Sequence, residues 1–483
     1  MTSLRRQIVG YLPATVVPAL MSFASVYVFT RLLPASEYGR YNIALSGILV
    51  AQAGCFFALQ VAFLRLFPAA ERDGSTQRFV KSLYAAFFAV LAVASFLFLV
   101  VYVGVPARSW GVAVSLLTLC AFVLRSTVMF NQTANRAASR MKRLNLIECL
   151  NATVAFGAGT AFALGVAANA QAPLAGLALG AACSLLADRR ALAVVRTAAR
   201  VDQDLLRDIG RFASPLALSF LVSSLLQNGD RFLLGSLNGA AAVGIYAVAV
   251  TLVDRPITLI CSAIHTATFP LMTQSLEQVG AEVASAQMVR SGTLLMALTA
   301  PACVGLGCIS TTMAAVMVGP AFGVGVIALL PIVSCAAFLR AVAQHFLEHA
   351  FHLSKRSGQL LAIYVPVTIL SLVANYLLVP KFGVSAAAWV AVGAQGLLAG
   401  LVLVIGRSGF AFAFPYLEVV KIGVACTTMA LAITHVRFAT TWSGLFAASA
   451  VGALVYAVCA LGLNVGGVRD GALARILPAA TSP

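Results

Sequence analysis

Three arginines stand where apolar runs should cross the middle of a bilayer: Arg125, Arg255 and Arg340. A charge at that depth costs at least about 2.5–3.5 kcal/mol, so it is expected to face a protein-lined, watery cavity. Guanidinium groups are planar forks that can donate two hydrogen bonds to phosphate oxygens. Together with one deep acid, Asp254, these cations describe a lumen built to hold an anion. A buried pairing is the competing reading for each, most obviously Arg255 with an acid on another helix. Arg340 also begins a stripe. Gln344, Glu348 and His352 follow at intervals of four, and His345 and His349 widen the face they share. Asn131, Gln132 and Asn135 continue below Arg125 in the same manner. Asp254 and Glu348 each have two readings, a permanent partner for an arginine or a protonatable site for ion coupling. Arg65, at the inner end of the second apolar run, either greets an incoming head group or simply obeys the charge rule of membrane proteins.

The elements that must hold these residues are membrane helices. The chain is 61% hydrophobic and 10% charged, with a mean hydropathy of +0.96, which excludes a soluble multidomain protein. Apolar runs of about 20 residues, each able to span hydrocarbon about 30 Å thick, recur along nearly the whole length. The expected fold is therefore all-α, with about 14 transmembrane helices. Residues 324–350 carry the Arg340 stripe, 241–264 carry Asp254 and Arg255, and 111–130 carry Arg125.

The net charge of +17 is placed by topology and not by nucleic acid, for which no motif is present. Basic clusters at Arg72/Arg78/Lys81, Arg136/Arg140/Lys142/Arg143, Arg189/Arg190/Arg196/Arg200 and Lys355/Arg356 all fall on one side if the N-terminus is cytoplasmic. That bias puts both termini in the cytoplasm. Arg5 and Arg6 precede a first helix without a small-x-small cleavage site, which reads as retained and not as a signal peptide. The 10 cysteines form no C-x-x-C pair, so the expectation is reduced core cysteines with no metal and no cofactor.

Two stretches repeat. Arg31-Leu-Leu-Pro-Ala-Ser-Glu-Tyr-Gly39 matches Arg231-Phe-Leu-Leu-Gly-Ser-Leu-Asn-Gly239, and a Gly-x-Tyr occurs in each copy, at Gly39/Tyr41 and Gly244/Tyr246. Phe67-Pro68 then matches Phe269-Pro270, and Arg125 matches Arg340. Four matches in the same order describe a duplicated unit of six helices, an even number that gives both halves one orientation. The expected organisation is a six-helix lobe over 1–187, a cytoplasmic amphipathic linker over 188–212, and a second six-helix lobe over 213–406. Two additional transmembrane helices over 407–463 and a cytoplasmic tail over 464–483 follow. In the linker, Leu205, Leu206, Ile209 and Phe212 share one face, as a helix lying on the membrane surface would have them.

These residues resemble the Wzx-like oligosaccharide flippases of the polysaccharide transporter family, in the superfamily that also holds multidrug extruders and the lipid II flippase. The likeness rests on Gly10-Tyr-Leu-Pro-Ala-Thr-Val-Val-Pro18, Thr30 to Gly39, Val243-Gly-Ile-Tyr-Ala-Val-Ala249, Asp254-Arg-Pro256, Ala350-Phe-His-Leu353 and Val379-Pro-Lys-Phe-Gly-Val384. One departure is Gly383-Val-Ser-Ala-Ala-Ala388, where relatives often carry a second glycine at the serine. The resemblance implies two pseudo-twofold-related lobes plus two C-terminal helices. It implies movement of an undecaprenyl-pyrophosphate-linked oligosaccharide across a bacterial inner membrane, by alternating access, for O-antigen or exopolysaccharide synthesis. Its partners would be that lipid-linked oligosaccharide, membrane lipids, and the polysaccharide polymerase or export machinery.

Rival readings are a lipid II flippase, a multidrug extruder of the same superfamily, and a membrane polysaccharide polymerase or ligase. A polymerase or ligase needs a large external loop, and the external connections here are short. An extruder of cationic drugs needs acids in its N-terminal lobe, where Glu148 is the one acid near the bilayer. A carrier and not an enzyme is expected.

Overall fold

The computed structural model describes residues 2–104, 111–189, 201–436 and 438–469. The cluster residues Arg190, Arg196 and Arg200 and the tail from 470 onward lie outside the described residues. Among those described there is helix and no strand, as the uninterrupted apolar runs require: in hydrocarbon every backbone group must be satisfied within its own segment. The helices are α1 Thr2–Leu32, α2 Ala35–Arg72, α3 Thr76–Gly104, α4 Val112–Ala137, α5 Met141–Gly165, α6 Gln171–Ala187 and α7 Gln203–Asn238. After these come α8 Ala240–Gln278, α9 Ala281–Cys308, the short α10 Ser310–Met317, and α11 Pro320–Leu353. The chain continues through α12 Ser357–Phe382, α13 Val384–Gly409, α14 Tyr416–His435 and α15 Trp442–Gly462. Thirteen of them are long and apolar enough to cross a membrane, and α6 is a shorter apolar helix.

The chain divides into two compact units. One comprises Met1–Ala247 with Tyr364–Val384, the other Val248–Ile363 with Ser385–Pro483. The first is held by an aromatic core. Phe56, Phe63, Phe87, Phe122 and Phe130 are fully buried, and the Phe87 and Phe130 rings stack at 4.4 Å. Elsewhere small residues let helix backbones touch, as is usual where lipid removes any hydrophobic drive between helices. A Cβ on Gly39 of α2 would lie 1.7 Å from the carbonyl oxygen of Ala240, and one on Gly244 of α8 would lie 2.3 Å from that of Ala35. The two glycines of the repeated Gly-x-Tyr thus form a reciprocal crossing.

The segment expected to lie apart as a surface helix does not end before the next span. Helix α7 runs unbroken from Gln203 to Asn238, with the Asp202 carboxylate accepting from Leu205 N at its start. Ile209 and Ala213 are buried in the core of the first unit, with Leu205 and Phe212 packed against it. The apolar face therefore has a protein partner, and nothing in the sequence between 203 and 214 breaks the helix.

The second unit carries the other helix irregularity that bears on function. Helix α11 switches to a π turn at Ala343–Leu347, just after Arg340, before resuming at His349. Phe346 of that turn is seated on Gly292 of α9, where a Cβ would come within 2.3 Å of its ring.

Candidate functional site: a cavity beside an interhelical ion pair and a histidine cluster

Helix α8 places Asp254, Thr258, Cys261, His265 and Phe269 at spacings of four, three, four and four, which is one face of a helix. Helix α11 presents Arg340, Gln344, His345, His349 and His352 along the side that meets it. The two stripes face each other over about 16 Å of helix, from Asp254 to His265, at 1.5 Å per residue.

At one end, Arg340 Nη2 donates to Asp254 Oδ1 in an ion pair between the helices. Both side chains keep about a quarter of their surface open, 21% for Arg340 and 27% for Asp254, so the pair is accessible and not sealed in the core. Next to it lies a small cavity lined by Ile257, Thr258 and Cys261 of α8 and by Ala337, Arg340, Ala341, Gln344 and His345 of α11. One guanidinium, one carboxamide, one imidazole and one hydroxyl therefore converge on an otherwise apolar wall. Such a set donates hydrogen bonds readily and suits an anion whose oxygens need several donors at once.

At the other end sits a cluster of histidines. His265 Nδ1 lies 3.1 Å from His349 Nε2, and their rings stack at 5.2 Å. The His345 ring is 6.0 Å from that of His265. Phe269 packs on His265 and His349 and stands at 90° to His352, which is exposed. No group of three His, Cys, Asp or Glu side chains among the described residues has the arrangement of a metal site.

Arg340, Gln344 and His345 come together at the cavity, with Asp254 as the partner of Arg340. Glu348, on the same four-residue repeat, is buried and is not among the cavity residues, because the π turn shifts the phase of the helix beneath Gln344. Arg255 is exposed, and among the described residues it makes no ion pair; Asp254, on the same helix, has been taken by Arg340 instead. Arg125 belongs to the first compact unit, half-buried on α4, where it and Arg136 act on the charge of Glu148. Arg65 is in that unit too, stacked over the Phe212 ring at 5.0 Å. The polar run below Arg125 is built into the interior: Asn131 accepts from Tyr84, and Asn135 donates to Asp188, which also pairs with Arg143 at 2.6 Å.

His265 was not singled out from the sequence. The signal was available: it falls eleven residues, three turns, beyond Asp254 on a face that also carries Thr258 and Cys261. A lone histidine in an apolar run reads as core until its partner on another helix is known.

Residues 4–276 match the protein family described as polysaccharide biosynthesis protein. No curated protein sequence matches the chain. Among solved structures, the fold is similar to that of the lipid II flippase MurJ in an inward closed conformation, with a TM-score of 0.74 at 12% identity, covering 93% of this chain and 98% of that one. It is also similar to an inward-facing multidrug resistance MATE family transporter of the MOP superfamily, with a TM-score of 0.67 at 14% identity, over 81% and 93% of the two chains. A MOP superfamily transporter from Pyrococcus furiosus follows at a TM-score of 0.57 and 14% identity, over 84% and 94%. These likenesses bear out the all-helical membrane fold expected from the apolar runs.

Proposed function

Because the chain belongs to the polysaccharide biosynthesis protein family, we propose that it is a flippase for a lipid-linked oligosaccharide. Its cargo is read as an oligosaccharide on an undecaprenyl pyrophosphate carrier, moved by alternating access across the bacterial inner membrane with both chain termini in the cytoplasm. The product would feed O-antigen or exopolysaccharide synthesis, alongside a polymerase or export machinery.

The observation that carries this reading is the cavity at Arg340. A membrane-spanning helix pair exposes a guanidinium, an amide and an imidazole to one small void. A sugar pyrophosphate cannot cross hydrocarbon unaided, and its phosphate oxygens are the acceptors those donors fit. In the ground state Asp254 occupies Arg340. An incoming pyrophosphate then replaces one carboxylate with another oxyanion, so Arg340 is never left without a counter-charge. Arg255, exposed one residue further along α8, is read as a further contact for the head group.

Complementation of a strain lacking its own oligosaccharide flippase tests this. The chain should restore surface polysaccharide and clear the accumulated carrier, whose sugar is identified by mass spectrometry. Rescue of a lipid II flippase deficiency instead would move the assignment to that cargo. Drug resistance conferred without polysaccharide rescue would contradict the proposal.

A further inference from the structure

We propose that His265 and His349 form a proton-binding site linked to the cavity at Arg340, so that an anionic head group is held more tightly when the pair carries a proton. This rests on the anion reading above and adds to it the ion that accompanies binding.

The geometry begins with two ring nitrogens 3.1 Å apart, His265 Nδ1 and His349 Nε2. Imidazole nitrogens at hydrogen-bond distance need one N–H and one lone pair between them. With both rings neutral, one donates to the other and the donor's far nitrogen keeps its lone pair. A proton from water adds to that far nitrogen, the facing contact stays in place, and the bond becomes charge-assisted. A second added proton would set two N–H groups against each other and break the contact. The pair is therefore organised to take up one proton and no more.

Its surroundings connect it to both sides. Towards the cavity, the His345 ring lies 6.0 Å from His265, and His345 shares the cavity wall with Arg340 and Gln344. Away from it, the Phe269 ring packs between His349 and the exposed His352. The titratable and charged groups acting on the cluster include His345, His352 and, through His345, Arg340. Cys261 lies one turn from His265 on α8, and Glu348 immediately precedes His349. Helix α9 and the segment after α13 meet the π turn with Gly292, Phe412 and Phe414, none of them titratable.

One added positive charge beyond His345 attracts an anion seated at Arg340. At a separation near 10 Å and an effective dielectric near 20, that attraction is worth about tenfold in affinity. Linkage is reciprocal: the anion must favour protonation by the same factor.

The test uses the full chain in lipid nanodiscs and a soluble nucleotide sugar as probe, a pyrophosphate diester whose phosphates keep their charge across the pH range. Wild type should bind it about tenfold more tightly at about pH 4 than at about pH 8, an interval wide enough for imidazoles withdrawn from water to charge. The double variant His265→Gln with His349→Gln should keep the affinity seen at the higher pH and lose the increase. Unchanged pH dependence in that variant, or pH-independent binding by wild type, overturns the linkage while leaving the anion reading intact. No binding at any pH overturns the anion reading and the linkage with it. A nitrogen-15 titration of histidine-labelled wild type is the second measurement and needs no variant to fold. One shared proton between two coupled rings is expected, and two imidazoles titrating independently would refute the site.

Discussion

Arg340 of α11 and Asp254 of α8 form an ion pair across two helices that are 86 positions apart in sequence, beside a cavity and not within a sealed core. The consequences of removing each partner are opposite in sign. Arg340→Ala leaves a carboxylate facing the cavity and should cut binding of a pyrophosphate diester by at least tenfold, equivalent to about 1.4 kcal/mol. Asp254→Asn removes the carboxylate that competes for the guanidinium and should leave that binding equal or tighter. Direct titration of both purified variants checks this, and equal losses in the two would make the pair a structural brace.

Arg255 is exposed and carries no ion pair among the described residues. Truncating it should therefore leave folding almost untouched, within about 0.5 kcal/mol. The expected outcome for Arg255→Ala is loss of polysaccharide export with normal membrane levels and an unchanged thermal unfolding midpoint. A lowered midpoint would show that the side chain supports the fold.

The buried polar network of the first unit makes the contrasting prediction. Asp188 is 3% exposed, pairs with Arg143 at 2.6 Å and accepts from Asn135 at 2.8 Å. Arg143 keeps 22% of its side chain open, so losing Asp188 removes the pair and the Asn135 hydrogen bond, at a cost of about 1–3 kcal/mol. Asp188→Ala should lower the unfolding midpoint and the amount of inserted protein together, which detergent thermal melts and membrane blots would register.

Gly39 and Gly244 test the helix crossing. A methyl at 39 would sit 1.7 Å from the Ala240 oxygen, and one at 244 would sit 2.3 Å from the Ala35 oxygen. The helices must move apart to admit either, so each alanine variant should destabilise by about 1–3 kcal/mol, with Gly39→Ala the worse. Thermal unfolding of the two variants gives the comparison. A neutral Gly39→Ala would mean that α2 and α8 do not pack so closely in the membrane.

Much of this is legible in the sequence alone. Helices were readable because each must bury its own backbone in lipid, so apolar length alone marks α2, α3 or α13. Three residues of the cavity, Arg340, Gln344 and His345, were readable too, since a guanidinium within an apolar run is an exception that calls for a reason. What the sequence concealed was pairing between distant helices. It offered Arg255 an acid as readily as Arg340, and only the facing of α8 and α11 assigns Asp254 to Arg340. Nor could a period of four anticipate the π turn at 343–347, which takes Glu348 out of the stripe and sets His349 against His265. The start of α7 misled for a related reason: an amphipathic face does not say whether lipid or protein will cover it.

The central claim is that the cavity serves translocation of a pyrophosphate-linked sugar. The direct measurement is flipping of an undecaprenyl-pyrophosphate oligosaccharide in proteoliposomes, followed by its exposure to an impermeant glycosidase, with wild type and Arg340→Ala reconstituted at equal density. The account predicts rapid exposure of the inner-leaflet pool by wild type and a rate at the protein-free baseline for the variant. Equal flipping by both proteins, or none by wild type with a correctly inserted chain, would contradict it.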